Sequence, residues 1–144
     1  MFEIINQQRK IKINPQEFKA FIQKSLDKIP ETKGKFLTIA FVSDKKIKDL
    51  NNQFRNKNSV TDVLSFIYES EEFEADENYL GDVVISVEQA KKQALENDLT
   101  LPIEIKQLIL HGILHLCGYD HETDKGEMNK LELELRAKLG ICEK

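Results

Sequence analysis

The sequence places all three of its histidines, His111, His115 and His121, within one short stretch. His111 and His115 are spaced by four residues, so on an α-helix both side chains project from one face about one turn apart. Gly118 lies between the second and third histidines and suits the left-handed backbone conformation that ends a helix. A chain reversal there would return His121 towards the other two. The spacing therefore predicts three imidazoles that converge on one metal ion.

Three imidazole ligands with water in the fourth tetrahedral position are typical of catalytic zinc. The spacing has two other interpretations. An HxxxH pair also arises by chance on an apolar helix, where the rings bond to carbonyl groups. A closed structural site would need a fourth ligand, for which Cys117, Asp120 and Glu122 are candidates. Structural zinc usually draws on two or more thiolates, so the sequence favours the open, catalytic site.

The helix that carries the first two histidines is predicted to be buried. Apolar residues fall on every side of it between residues 103 and 116, which is the pattern of a helix enclosed by its domain. Thr100 can cap its first turn, and Pro102 is tolerated there because that turn has no intrahelical partner for its N–H groups. We therefore expect a central helix that holds the metal rigidly.

The composition indicates a single domain with its own core. The chain has 144 residues, of which 40% are hydrophobic, and a chain of this size can form a core without disulfides or a structural metal. Residues 1–13 mix charged and apolar positions, unlike a signal peptide. No apolar run is long enough to cross a membrane. Because the two cysteines are far apart and no export signal is predicted, we expect a cytoplasmic protein.

The charge is distributed unevenly along the chain. Residues 1–57 carry 13 Lys and Arg residues against 6 Asp and Glu residues, whereas residues 58–144 carry 8 against 19. The basic residues Lys45, Lys46 and Lys57 are candidate contacts to a polyanion, although a solvated lysine-rich surface has the same composition. The acidic run within residues 69–77 is interpreted as a solvated loop.

The remaining periodicity predicts an α+β fold. We expect one domain over residues 1–144, in which a small mixed β-sheet packs with about five helices around the buried metal-binding helix. Short strands are predicted at residues 2–6 and 10–14, joined as a hairpin or an irregular edge, and then at 36–42, 63–68 and 83–86. The predicted helices are 15–29, 44–54, 87–98, the histidine helix and 124–139.

Three blocks of sequence resemble one family, the YbeY-type endoribonucleases that mature ribosomal RNA. The blocks are LNNQFR and TDVLSF within residues 50–66, LGDVVIS at residues 80–86, and HGILHLCGYDH at residues 111–121. The resemblance extends over nearly the whole chain. The sequence departs from the family pattern at Ile67, where proline is usual, and at residues 58–60, where an acidic residue and proline are common.

The resemblance implies zinc held by His111, His115 and His121, and an essential arginine at Arg55. It implies a single-strand-specific endoribonuclease that matures the 3′ end of 16S rRNA and acts in ribosome quality control on ribosomal particles. Zinc can polarise a phosphoryl oxygen and can lower the pKa of bound water to about 7. An arginine fork can stabilise the charge that develops on the phosphate. Either water or the 2′-hydroxyl could be the nucleophile, and the sequence identifies no general base.

Two other functions fit part of this pattern. A zinc peptidase has a similar arrangement of histidines, but its general base is a glutamate directly after the first one, where this chain has Gly112. A non-catalytic RNA-binding or ribosome-binding protein would use zinc only to fix its fold. Phe54 and Tyr119 could then stack on bases, although aromatic residues beside apolar runs usually belong to the core.

Overall fold

The computed structural model describes residues 1–68, 78–119 and 126–141. Its four-stranded sheet has the order β1-β2-β4-β3. The strands are β1 (Phe2–Asn6), β2 (Phe36–Val42), β3 (Val63–Ile67) and β4 (Tyr79–Ser86). The first two and β4 are parallel to one another, and β3 is an antiparallel edge strand. The predicted small mixed sheet of an α+β protein is therefore confirmed.

Five α-helices occur in the described parts of the chain, as the sequence predicted. They are α1 (Lys19–Lys28), α2 (Asp44–Arg55), α3 (Val87–Glu96), α4 (Leu101–Leu116) and α5 (Glu127–Leu139). Side-chain caps mark where three of them begin, one being Ser86, which accepts from the backbone N–H of Gln89 at the start of α3. Ser43 accepts a hydrogen bond from the backbone N–H of Lys46 at the start of α2, and Thr100 accepts one from Ile103 at the start of α4. Such caps satisfy N–H groups that have no partner within the helix.

The predicted strand at residues 10–14 is wrong. The first strand pairs in parallel with β2, with Ile4 opposite Ile39, instead of forming a hairpin. The side chain of Gln8 takes the place of a partner strand: its Nε2 donates to the carbonyl of Ile11 at 2.9 Å, and its Oε1 accepts from the N–H of Ile11 at 3.0 Å. The fourth strand also begins earlier than predicted, at Tyr79.

The sheet has a core on each face because its side chains alternate between the two. Along β4, Val83 and Ile85 join the main core, whereas Val84 belongs to a smaller cluster on the opposite face. The main core includes residues of α1, α4 and α5. The smaller cluster lies under α2 and consists of Val42, Ile47, Leu64 and Val84.

The fourth helix is the central element of the main core. Its residues Ile105, Ile109 and Ile113 have no exposed surface, which confirms the prediction of an enclosed helix.

Among the described residues, the structure contains no helix with the length and apolarity needed to span a membrane.

Candidate metal centre

The histidine turn of α4, residues 111–115, lies directly on the sheet. A Cβ atom added to Gly112 would come within 2.5 Å of Cγ1 of Val83, so only glycine permits this approach. The hydroxyl of Ser65 on β3 donates to the carbonyl of Gly112 at 3.2 Å. These contacts fix the helix against β3 and β4. They also explain why the glutamate of the peptidase motif has no room at this position.

The rings of His111 and His115 meet on one side of α4. Their Nε2 atoms are 3.0 Å apart, and their ring centroids are separated by 4.6 Å. The side chain of His111 is 26% exposed, so the pair is sheltered by protein but open to solvent. The helical spacing thus brings the two rings together as predicted.

A buried carboxylate on α5 holds His111. Oε1 of Glu132 lies 2.6 Å from Nδ1 of His111, and its Oε2 accepts a hydrogen bond from the guanidinium of Arg136. Glu132 is only 6% exposed. Burial alone raises the pKa of Glu132, but the hydrogen bond and charge of His111 and then those of Arg136 outweigh it, so the pKa is lowered from its ordinary value. Glu132 is therefore ionised at neutral pH.

The ionised carboxylate determines the tautomer of His111. A carboxylate can only accept, so Nδ1 of His111 carries a proton, and when the ring is neutral Nε2 is the nitrogen that presents its lone pair. That lone pair faces Nε2 of His115. Two nitrogens bound to one zinc ion at 2.0–2.1 Å in tetrahedral geometry are separated by about 3.3 Å, close to the observed 3.0 Å. The two rings fit a shared metal ion, with Glu132 in the supporting position that carboxylates often take behind a ligand histidine.

The end of α4 follows the prediction from Gly118. This residue has a φ of +96°, and its N–H donates to the carbonyl of His115 at 3.0 Å.

The third predicted ligand, His121, lies outside the described residues, together with the alternative ligands Asp120 and Glu122. Within residues 1–68, 78–119 and 126–141, no group of three or more His, Cys, Asp or Glu side chains is placed to hold a metal.

Arg55 lies on the other side of the sheet from the histidines. It is the exposed last residue of α2, and its neighbour Phe54 packs against Phe66 with ring centroids 5.3 Å apart. Phe66 pairs with Asp82 on the neighbouring strand β4. The preceding residue of that strand, Gly81, lies against the end of α4: a Cβ atom added to it would be 3.0 Å from Leu116. Arg55 and the histidine turn therefore occupy the same end of the sheet, with the edge strand β3 between them.

The three candidate lysines are separated in the structure. Lys57 follows Arg55 closely, whereas Lys45 and Lys46 lie in the first turn of α2. A helical rise of 1.5 Å per residue places Lys45 about 15 Å from Arg55 along the axis. All three side chains are exposed. They therefore form two groups of charge, of which only Lys57 is beside Arg55.

Tyr119 has a structural contact that the sequence did not predict. Its hydroxyl donates to Glu31, in the short 3₁₀ turn Pro30–Thr32, and its ring packs against the main core. The hydrogen bond to Glu31 and burial raise the pKa of Tyr119. This contact ties the end of α4 to the chain after α1 and favours a packing role for Tyr119 over base stacking.

Sequence reasoning missed Glu132 and Arg136. A signal for Glu132 was present: it lies four residues after Met128 and three before Leu135, both of which face the core. A carboxylate on the apolar stripe of a helix needs a buried partner. The identity of that partner depends on how α5 packs against α4, which the sequence of α5 does not show.

Comparisons with known proteins agree with the fold and identify a family. The family model described as endoribonuclease YbeY matches residues 3–140. The endoribonuclease YbeY of Thermodesulfovibrio yellowstonii is 37% identical and aligns over 95% of this chain and 96% of its own length. That of Nautilia profundicola is 48% identical over 74% of each chain. The solution structure of TM1509 from Thermotoga maritima aligns with a TM-score of 0.62 and 25% identity, covering 96% of this chain and 89% of that one.

The matches first define a class: an α+β hydrolase that cleaves phosphodiester bonds within RNA. They then define the family, because the family model matches residues 3–140 and the relative from Thermodesulfovibrio yellowstonii aligns over 95% of the chain. The chain belongs to the YbeY endoribonuclease family.

Proposed function

We propose that this protein is a zinc-dependent, single-strand-specific endoribonuclease that acts in the cytoplasm on the 3′ end of 16S rRNA and in ribosome quality control. The observation that carries the proposal is the 3.0 Å approach of the two Nε2 atoms of His111 and His115 in a chain of an endoribonuclease family. His121 would supply the third ligand. Ribosomal particles would be the partners.

Zinc held at these histidines would supply a Lewis acid for a phosphoryl oxygen and a bound water with a pKa of about 7. The remaining contributions come from the chain itself. Glu132 accepts from Nδ1 of His111, so that Nε2 is the nitrogen of the neutral ring that would act as a ligand. Arg136 keeps Glu132 ionised and oriented. The contact of Gly112 with Val83 holds the histidine turn still, which limits reorganisation during the reaction.

Arg55 would bind a phosphate group of the substrate. Its guanidinium fork is permanently charged and matches the geometry of phosphate oxygens. Because Arg55 and His115 lie on opposite faces at the same end of the sheet, a bound RNA strand would have to pass around the edge strand β3. A single strand can bend in this way far more easily than a duplex, which supports the proposed preference for single strands.

The proposal is tested with a labelled single-stranded RNA and a duplex of the same sequence. The chelator-treated protein should lose cleavage of the single strand and regain it with added zinc, and the duplex should be cut much more slowly. The ends of the products identify the nucleophile, because attack by the 2′-hydroxyl leaves a cyclic phosphate. Full cleavage by metal-free protein would overturn the proposal.

Arg55 is tested separately from the metal. Arg55→Ala should cut at least about tenfold more slowly while binding zinc normally, since loss of one stabilising donor typically costs this much or more. Arg55→Lys should recover only part of the rate because it lacks the fork. Arg9→Ala is the matched control, since Arg9 is another exposed arginine that follows β1 at the opposite end of the sheet. Equal rates for Arg55→Ala and Arg9→Ala would remove Arg55 from the mechanism.

A further inference from the structure

Exposed apolar side chains are concentrated around the end of α2 and along β3. Within the described parts of the chain, four large hydrophobic residues between positions 54 and 68 are exposed: Phe54, Val60, Ile67 and Tyr68. Phe54 is 61% exposed and Tyr68 is 42% exposed. Clusters of exposed apolar residues usually mark an interaction surface.

The aromatic members form a row, the aromatic patch, consisting of Phe54, Phe66, Tyr68 and Tyr79. Phe54 contacts Phe66 and Tyr68 contacts Tyr79, each with ring centroids 5.3 Å apart. Phe66 and Tyr68 are two residues apart, and the backbone N–H of Tyr68 continues the ladder by donating to Leu80 at 2.9 Å. Alternate residues share a face, so these rings lie on one side of the sheet.

The patch is held in place before any ligand binds. The hydroxyl of Tyr79 donates to Asp82 and lies 3.0 Å from the hydroxyl of Thr38. On the same face, α2 covers the small core cluster and then ends at Arg55. The aromatic patch lies at and beyond this helix end, where rings remain accessible.

The cations lie at the Phe54 end of the patch, whereas Asp82 lies at the Tyr79 end, so the Phe54 end is the part that suits a polyanionic ligand. Arg55 directly follows Phe54, and Lys57 comes two residues later, with both side chains exposed. Aromatic faces interleaved with cations suit single-stranded nucleic acid, in which bases stack on the rings and phosphates pair with the cations. A purely apolar protein partner would leave these cations without a counterpart.

We propose that the aromatic patch binds bases of single-stranded RNA on one side of the scissile phosphate. This inference rests on the proposed function and adds a base-stacking surface to it. The edge strand β3 separates the patch from the histidine turn: Phe66 faces α2, whereas its neighbour Ser65 contacts Gly112 of α4. Bases stacked on the patch and a phosphate at the histidines would then belong to adjoining parts of one RNA strand that crosses β3.

The absence of tryptophan from the chain provides a direct reporter. Phe54→Trp keeps an aromatic ring on the patch, and in the His115→Ala background the RNA would remain uncut. Addition of a single-stranded oligonucleotide should quench the tryptophan emission, because a base stacks on the ring. Leu95→Trp is the matched control, since Leu95 is 77% exposed on α3 and should show no quenching. Equal quenching at both positions, or none at Phe54→Trp, would overturn the inference.

Affinity variants separate stacking from other contacts. Phe54→Ala and Tyr68→Ala should each weaken binding of the oligonucleotide roughly 5- to 100-fold, as loss of one stacked base predicts. Phe54→Leu should weaken it similarly, because the apolar area remains but the aromatic face is lost. Leu133→Ala, at another exposed position on α5, should bind as the wild type does. Normal affinity in both alanine variants would overturn the inference.

The outcomes also distinguish this surface from the proposed function. Metal-dependent cleavage by the wild type together with normal binding by Phe54→Ala and Tyr68→Ala would reject the patch and leave the endoribonuclease proposal intact. Metal-independent cleavage would reject the proposed function whatever the patch binds. Self-association of the wild type that Phe54→Ala abolishes, without an effect on RNA affinity, would make the patch an interface between copies of the chain and overturn the inference.

Discussion

Glu132 shows how one side chain determines what another can do. It fixes the proton of His111 on Nδ1 and so leaves Nε2 facing Nε2 of His115. Glu132→Gln should therefore weaken zinc binding roughly tenfold or more, in the range found when carboxylates behind a ligand histidine are replaced. Zinc affinity measured by competition with a chelator checks this prediction. Glu134→Gln, at an exposed position two residues away, should leave the affinity unchanged.

Position 112 requires glycine because the backbone there packs directly against Val83. Gly112→Ala places a methyl group against Val83 and should lower the free energy of unfolding by about 1–3 kcal/mol, as overpacking of a core usually does. Urea denaturation measures the loss. Val83→Ala removes the two methyl groups that cause the clash, so the double variant should be more stable than the sum of the single changes predicts. Strict additivity would show that the contact does not hold α4 on the sheet.

Glu104 is a buried carboxyl on α4 that is 4% exposed, and its Oε2 has no hydrogen-bond partner among the described residues. Burial raises its pKa, Asp62 raises it further, and Asn97 and Arg136 lower it by less. The folded state therefore holds the proton more tightly than the unfolded chain, and this group's contribution to stability falls as pH rises through the raised pKa.

Glu104→Gln removes this ionisation. Its melting temperature relative to the wild type should rise as pH increases from below the ordinary glutamate pKa to neutral pH, because only the wild type has to bury a charge once the carboxyl ionises. Thermal unfolding across this range is the measurement. A difference in melting temperature that stays constant with pH would show that Glu104 does not titrate within the range.

At the scale of elements, local signals predicted most of the fold. Ser43 and Thr100 mark helix starts, Gly118 follows the end of α4, and the β-rich run at 36–42 became a strand with the same limits. The exception at residues 10–14 depends on the buried side chain of Gln8, which bonds to Ile11 in place of a strand. Alternation alone cannot reveal a side chain that acts as a strand partner.

The candidate site was predicted only in part for a related reason. The spacing within α4 was enough to bring His111 and His115 together, because four residues along one helix have a fixed geometry. The support from Glu132 and Arg136 crosses between two helices. The position of Arg55 behind β3 depends on the order of strands in the sheet. Contacts between elements follow from packing, which no single stretch of sequence specifies.

At the scale of the whole molecule, the basic residues should make RNA binding sensitive to salt. Each lysine contact to a single strand contributes about 0.7 to the slope of log affinity against log salt. Replacing Lys45, Lys46 and Lys57 together by glutamine should flatten the slope by about 2, and Lys57→Gln alone by about 0.7. Binding of a short single-stranded RNA across a salt series measures these slopes.

The structure provides a control for this experiment. Lys91 and Lys92 are exposed on α3, and replacing both by glutamine should change the slope little. If the triple variant flattens the slope no more than Lys57→Gln does, then Lys45 and Lys46 lie outside the binding surface. An unchanged slope in the triple variant would exclude all three lysines from it.

The measurement that tests the central claim most directly is cleavage of single-stranded RNA by His115→Ala, with metal content and folding determined on the same preparation. Leu133→Ala, purified in parallel, controls for contaminating nucleases. We predict that His115→Ala is folded, binds little zinc and does not cleave RNA. Leu133→Ala should bind zinc and cleave RNA as the wild type does. Folded, metal-free His115→Ala that cleaves RNA at the wild-type rate would contradict a catalytic metal at the histidine pair.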